Sequence, residues 1–204
     1  MAGRIYKALN EAACKAISLS KPRKKELILV VTDEPTLTIG KALYKAASER
    51  CNVLMLVIQP TGQHGLEPPK LVAETMRKAD IIYCPTKYSL THTNAVRAAK
   101  KKGARIATLP EITLDIFTRG MSADYNWIKR MNKKIARLLK KTKLVKVKAK
   151  NTEFTTEIGG KKLLLDDGDI SKKGSLSNLP AGETAFVPKN FNGYWSPYNT
   201  KFPT

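Results

Sequence analysis

The chain has 204 residues, 42% hydrophobic and 26% charged, which is a globular composition and excludes an intrinsically disordered chain. Thirty-seven Lys and Arg against seventeen Asp and Glu give a formal charge of +20, so polyanionic partners enter the argument from the start. No apolar run approaches the roughly 20 residues that cross a bilayer, and residues 1–7 lack the apolar stretch and cleavage site of a signal peptide, so the expectation is a cytoplasmic chain without a membrane contact.

The first periodic segment is residues 5–19. Ile5, Leu9, Ala12, Ala13, Ala16 and Ile17 recur at helical spacing, and the helix is expected to stop before Pro22. Residues 26–33 form a short, continuously apolar run that ends on Asp33, the pattern of a buried parallel strand. Thr36 or Thr38 then caps a helix reaching about Arg50, with Ile39, Leu43, Ala46 and Ala47 inward. Residues 52–58 read as a second buried strand, followed by a Pro- and Gly-rich loop that carries His64. A short helix over 71–78 leads to a third strand over 80–84, and a polar loop over 86–93 contains His92. A helix over 94–102 stops at Gly103, and a fourth strand over 105–109 is closed by Pro110.

Strands alternating with helices predict an α/β fold with a Rossmann-like parallel sheet flanked by helices. Ligands in such sheets favour the carboxyl ends of the strands. Neither G-x-G-x-x-G nor G-x-x-x-x-G-K-[ST] is present, so a nucleotide site of the usual kinds is not expected. A longer amphipathic helix is predicted over 122–141, with Ile128, Met131, Ile135, Leu138 and Leu139 on one side.

Character changes at residue 143. Residues 143–149 alternate apolar and charged, residues 153–158 suggest another strand, and Gly159-Gly160 predicts a hairpin turn into 162–165. A domain boundary is therefore placed between an N-terminal α/β domain over 1–142 and a β-rich segment over 143–188 that is too small to close its own core. Asn178, Pro180 and Gly182 demand a turn, after which Glu183 opens an apolar run closed by Pro188. A carboxylate held at the mouth of a strand suits a hard or borderline cation. Its alternative is a solvated Glu on a surface hairpin. The remaining residues, 189–204, interleave aromatics with Asn, Pro and Gly and show no helix or strand period.

Few side chains carry chemistry. His64 and His92 form no H-E-x-x-H pair, so a zincin helix is absent, and His92 is placed as a hydrogen-bonding loop residue with a catalytic role as the lesser alternative. No G-x-S-x-G elbow occurs. Asp166, Asp167 and Asp169 around Gly168 have the wrong spacing for an EF-hand and read as a hairpin turn. Cys14, Cys51 and Cys84 are odd in number and form no C-x-x-C; apolar surroundings predict three buried free thiols in a reducing compartment.

Seven stretches nonetheless keep a characteristic order: Val30-Val31-Thr32-Asp33, Pro68-Pro69 before a helix with Met76, Ala79-Asp80-Ile81-Ile82, Ser89-Leu90-Thr91-His92-Thr93, Gly103-Ala104-Arg105-Ile106-Ala107, Met121-Ser122-Ala123-Asp124-Tyr125 and Asn178-Leu179-Pro180-Ala181-Gly182-Glu183. From about residue 3 to residue 188 the chain resembles the aminopeptidase T, or thermophilic leucyl aminopeptidase, family of metal-dependent aminopeptidases. The resemblance implies a β-rich catalytic domain after the α/β domain. It also implies a two-metal site, usually zinc or cobalt, that activates water to release N-terminal amino acids from peptide substrates. Glu183 matches a metal ligand of that family; the other ligands, further Glu, His and Asp with a supporting Tyr, come from well downstream in the family. The chain departs from the family after Pro188, and the expectation is a truncated chain whose site is incomplete, since catalytic zinc takes about three protein ligands.

Two other classes follow from the residues. A basic α/β domain without catalysis could serve as a binding or assembly module, through a homodimer or an acidic partner. Nucleic-acid binding is disfavoured, because the densest groups (Lys21 to Lys25, Lys100 to Lys102, Lys133-Lys134 with Lys140-Lys141) fall on helix ends and polar faces and no recognition signature accompanies them.

Overall fold

The structure is a computed structural model that describes residues 2–195. In chain order its elements are α1 (Ala2–Leu19), β1 (Leu27–Asp33), one 3-10 turn (Glu34–Thr36), α2 (Leu37–Ser48), β2 (Asn52–Ile58), α3 (Lys70–Met76), β3 (Ile81–Thr86), α4 (Asn94–Lys101) and β4 (Arg105–Pro110). Then follow α5 (Leu114–Met121), α6 (Tyr125–Lys141), β5 (Leu144–Ala149), β6 (Thr152–Asp166), β7 (Leu176–Asn178), β8 (Glu183–Pro188) and β9 (Asn192–Trp195). The chain divides by its internal contacts into two compact units, residues 1–125 with 166–181 and residues 126–165 with 182–204. That division falls between 125 and 126 rather than at 142, and it returns 166–181 to the first unit because β7 pairs with a strand of the first sheet.

The first unit is the α/β layer. Its five strands are parallel in the order β2-β1-β3-β4-β7. Leu29 and Val31 of β1, Ile82 and Cys84 of β3 and Ile106 of β4 join Val72 and Met76 of α3 and Val96 and Ala99 of α4 in one core. The alternate positions Ile28, Val30, Ile81, Tyr83 and Ala107 are equally buried, so β1, β3 and β4 are covered on both faces, as their unbroken apolar sequence requires. α1 packs on α2 and α5. The Tyr83 hydroxyl donates to the Ala16 carbonyl at 2.9 Å, and burial pushes its pKa above the ordinary tyrosine value.

Capping follows the sequence. The Thr93 hydroxyl accepts from the Val96 amide at the start of α4, and Gly103, with φ of +100°, ends the same helix in the left-handed conformation that glycine allows. The Glu67 carboxylate accepts from the amides of Asn94 and Ala95 at that N-terminus, placing negative charge where the helix dipole favours it.

Several expectations need correction. β2 is not a buried strand: it lies at the sheet edge, and Leu54 and Val57 are 40% and 54% exposed. An apolar run reports β-propensity, but burial needs a neighbour on each side. β3 extends through Pro85 into the stretch read as loop. Proline is tolerated there because β1 pairs only as far as Tyr83, leaving the Pro85 carbonyl to accept from the Thr36 hydroxyl at 2.6 Å. The helix expected over 122–141 begins at Tyr125 and is preceded by α5, which Thr113 caps by accepting from Ile116 and which buries Phe117 and Met121. Of the thiols only Cys84 is fully buried, with a pKa pushed up to about 12; Cys14 and Cys51 are half-buried, and all three are free.

The second unit holds α6 and an antiparallel sheet ordered β5-β6-β8, with β9 also paired to β6. Gly159-Gly160 is not a hairpin turn, and β6 runs straight through it. Glycines turn only when their flanks pair with each other. Here residues 152–157 pair with β5, across the tight turn at Lys150-Asn151, and a Cβ on Gly159 would meet the Val187 carbonyl and the Lys189 amide at 2.9 Å. On α6 the buried positions are Tyr125, Asn132 and Ala136, while Ile135 and Leu138 stay exposed, so the inward face is rotated from the expected one. Residues 192–195 of the stretch read as aperiodic form β9; residues 196–204 lie outside the described residues. No described helix is long and apolar enough to cross a membrane.

Candidate functional site

Two of the seven stretches singled out from the sequence, Ser89 to Thr93 and Met121 to Tyr125, meet a third at residues 178–181 in the first unit, together with Thr108 and Asp166. The hydroxyls of Thr91, after β3, and Thr108, on β4, lie 2.8 Å apart, and both reach the Asn178 side-chain oxygen, at 3.2 and 2.5 Å. Ser89 donates to Thr91 at 2.9 Å. The Leu179 amide donates to the Thr108 carbonyl at 3.0 Å, extending the β4–β7 pairing by one residue. On the other side the Asp166 carboxylate accepts from the Ser177 hydroxyl and, at 2.9 Å, from the Asn178 amide.

Two glycines make this packing possible. A Cβ on Gly120 of α5 would come within 2.3 Å of the Pro180 ring, and one on Gly168 would come within 2.5 Å of the Tyr125 ring. Tyr125, the first residue of α6, accepts from the Ala181 amide at 3.3 Å and donates to the Met121 sulfur at 3.2 Å. Burial raises its pKa, and the Ala181 amide partly opposes that shift. The aspartates around Gly168 therefore form a structural turn: the Asp167 carboxylate accepts from the Asp169 amide, and Asp169 accepts from the Ser171 amide and hydroxyl.

The hydroxyl relay is testable by itself. Thr108→Val is isosteric but leaves Thr91 and Asn178 without their shared partner, and should cost about 1–3 kcal/mol of stability. Thermal unfolding by circular dichroism checks this; a loss below about 0.5 kcal/mol would mean that the relay does not hold β7 in place.

The sheet has its switch point between β1 and β3, where ligands of doubly wound folds bind. Here that crevice is bridged by the chain itself. Asp33, 1% exposed at the end of β1, accepts from the Thr36 hydroxyl at 2.8 Å and from the Lys87 amide at 2.7 Å. In the loop after β2, His64 Nδ1 accepts from the Ser89 amide at 3.0 Å and its Nε2 lies 4.0 Å from the Glu111 carboxylate. Glu111 follows β4 with φ of +52°, an uncommon conformation for a residue with a side chain. Of the two histidines, His64 is thus the one tied into the sheet end, whereas His92 is exposed. Nothing in the spacing marked the His64–Glu111 pair, because the two residues come from separate loops.

Glu183 belongs to the second unit. It opens β8, its carbonyl accepts from the Asn132 side-chain amide at 3.0 Å, and its side chain is exposed.

No family model matches the chain, and no curated protein matches it. Among the solved structures that the chain matches, two share its fold over most of its length. One is 2,5-dihydroxypyridine dioxygenase from Pseudomonas putida KT2440, with a TM-score of 0.70 and 16% identity over 89% of this chain and 56% of that one. The other is wild-type AmpT, an aminopeptidase T, from Thermus thermophilus, with a TM-score of 0.57 and 12% identity over 92% of this chain and 64% of that one. The chain thus spans less than two thirds of the length of either of these proteins. At these identities the likeness is one of fold, and the two names differ in reaction, so the fold by itself selects neither.

Among the described residues no three His, Cys, Asp or Glu side chains are grouped closely enough to hold a metal ion. A complete zinc or cobalt centre therefore does not fit the described residues, and Glu183 contributes at most one ligand.

Proposed function

We propose that this chain supplies the α/β part and one metal-binding carboxylate, Glu183, of a divalent-metal-dependent aminopeptidase acting on peptide substrates. The observation that carries the reading is the convergence of Thr91, Thr108, Asp166 and Tyr125 on residues 177–181. Four separate sequence stretches are spent on fixing a few residues of backbone, two positions before an exposed carboxylate. The likeness to AmpT over 92% of the chain supports the same reading. The remaining ligands come from polypeptide outside the described residues or from a second chain.

The test is metal titration of the 204-residue chain by calorimetry with cobalt and with zinc, together with hydrolysis of leucine amide. Glu183→Ala should weaken metal binding at least about tenfold, since the carboxylate is a direct ligand. Its stability should stay within about 0.5 kcal/mol of wild type, because the side chain is exposed. Equal metal affinity in the two proteins would sink the reading. Chelator-sensitive turnover lost in the variant would show that the chain assembles a full site with ligands supplied in trans.

A non-catalytic binding role is the second reading, and it is favoured by the charge gathered at the amino-terminal end of the first sheet.

A further inference from the structure

Two of the densest basic groups, Lys21 to Lys25 and Lys100 to Lys102, lie far apart in sequence and are brought to one end of the first unit's sheet. In a parallel sheet the segment before every strand lies at the amino-terminal end, because each crossover returns the chain there. The segments before β1, β2, β3, β4 and β7 are residues 21–26, 49–51, 77–80, 100–104 and 172–175. Hydrogen bonds tie them side by side. The Cys51 thiol donates to the Arg23 carbonyl at 3.1 Å, and the Asp80 amide donates to the Leu27 carbonyl at 3.0 Å. The Arg105 amide donates to the Asp80 carbonyl at 3.0 Å, and the Gly174 amide to the Gly103 carbonyl at 3.1 Å.

These five segments carry twelve Lys and Arg against three acids, and all twelve cations are exposed. The rest of the first unit carries ten against eleven, so its excess of positive charge sits at this edge alone. None of the twelve forms an ion pair among the described residues. Two of the three acids are engaged: Glu26 with Arg105, and Asp80 as the acceptor of the Leu27 amide at 2.9 Å. Helix dipoles do not account for the excess. The helices α1 to α4 end here, and each C-terminus is worth about half a negative charge, so together they call for about two cations. The net charge of the edge is nine. No large apolar or aromatic side chain is exposed in these segments.

The geometry points to this edge as a docking surface for the sugar-phosphate backbone of duplex DNA, bound without regard to sequence. Five strands at about 4.8 Å spacing make a row of roughly 19 Å. A duplex carries one phosphate per about 1.7 Å of its axis, about eleven over that length. An extended acidic peptide offers at most one charge per about 3.4 Å, about six over the same length. Peptide interfaces and inserted membrane helices also use apolar anchors, which this edge lacks. A single strand stacks its bases on aromatic platforms, and there are none here. Duplex RNA is read through its 2′-hydroxyls. Nine of the twelve cations are Lys, which present point charges and no acceptor. The surface lies in the first unit and does not involve Glu183.

The experiment uses the 204-residue chain and a fluorescein-labelled DNA duplex of about 20 base pairs, read by anisotropy across a salt series. With about five phosphates neutralised, the logarithm of the binding constant should fall against that of salt with a slope of about −4 to −5. Lys25→Gln, Lys101→Gln, Lys102→Gln and Lys173→Gln together should reduce that slope by about three and weaken binding at least about tenfold at low salt. Lys133→Gln, Lys134→Gln, Lys140→Gln and Lys141→Gln remove the same charge from α6 in the second unit and should change the slope by less than about one. A duplex of scrambled sequence should bind within about twofold. Lysine acetylation read by mass spectrometry is a measurement without variants: the duplex should protect Lys24, Lys101 and Lys173 more than Lys133 and Lys140. Equal losses in the two variants, equal protection of the two lysine sets, or at least tenfold preference for one duplex sequence would each overturn the proposal. So would tighter binding of the matching RNA duplex, an oligothymidylate, polyglutamate or phosphatidylserine vesicles.

Discussion

Arg105→Ala should lower stability by about 3–5 kcal/mol, the usual cost of removing one partner of a buried ion pair, which is a fall of roughly 10 °C in midpoint for a chain of this size. The guanidinium is buried at the start of β4. It donates to the Ser20 carbonyl at 2.6 Å and to the Glu26 carboxylate at 2.5 Å, joining the end of α1 to the start of β1. The variant leaves that carboxylate and that carbonyl short of a donor, and Lys21, held at φ of +46° beside them, loses its neighbour. Acid titration gives the signature. Burial raises the Glu26 pKa, but the Arg23 amide and Arg105 outweigh it and the net pKa lies below the ordinary 4.5. A depressed folded pKa contributes stability that is complete above 4.5 and is lost as pH falls through the lower folded value. Wild type should therefore lose stability over that interval, and Arg105→Ala should show a smaller loss. Parallel acid profiles would mean that the pair is not the source of the shift.

Asp33→Ala should cost about 3 kcal/mol, because hydrogen bonds to a buried charged acceptor are worth about 1.5–3 kcal/mol and two are lost. The Lys87 amide loses its acceptor at the switch point, and the Thr36 hydroxyl keeps the Pro85 carbonyl as its acceptor. Asp33→Asn separates structure from chemistry. Its amide oxygen can still accept from Lys87, and its NH2 can donate to Thr36, whose own proton then goes to the Pro85 carbonyl. The Asn variant should lose less than about 1 kcal/mol by denaturant titration. A loss as large as that of Ala would show that the negative charge itself is required, and would move Asp33 from a structural bridge to a ligand-binding group.

Both predictions concern residues that the sequence placed correctly and left without a role. Asp33 ends an apolar run and Arg105 opens another, and each reads as strand punctuation. What makes them consequential is where β1, β3 and the end of α1 meet in space. The motif Ser89 to Thr93 is similar: it reads as a polar loop, and its Thr91 hydroxyl, backed by Ser89, docks Asn178 while Thr93 caps α4. His92 drew attention by its position in that loop, while His64 acquired the partners.

Local chemistry by itself determined the α/β class, the cores of β1, β3 and β4, the Gly103 stop and the rigid turn before Glu183, because apolar period, capping residues and Gly or Pro punctuation act over a few neighbours in the chain. Tertiary structure decided the rest. β2 is an edge strand because, among the described residues, no strand pairs with it on the side away from β1; β6 is unbroken at Gly159-Gly160 because its partners come from elsewhere in the chain; and β7 joins the first sheet because Thr91, Thr108 and Asp166 hold Asn178 across separations of 87, 70 and 12 residues. Those bonds form only after loops of that length close, so no window of sequence contains them.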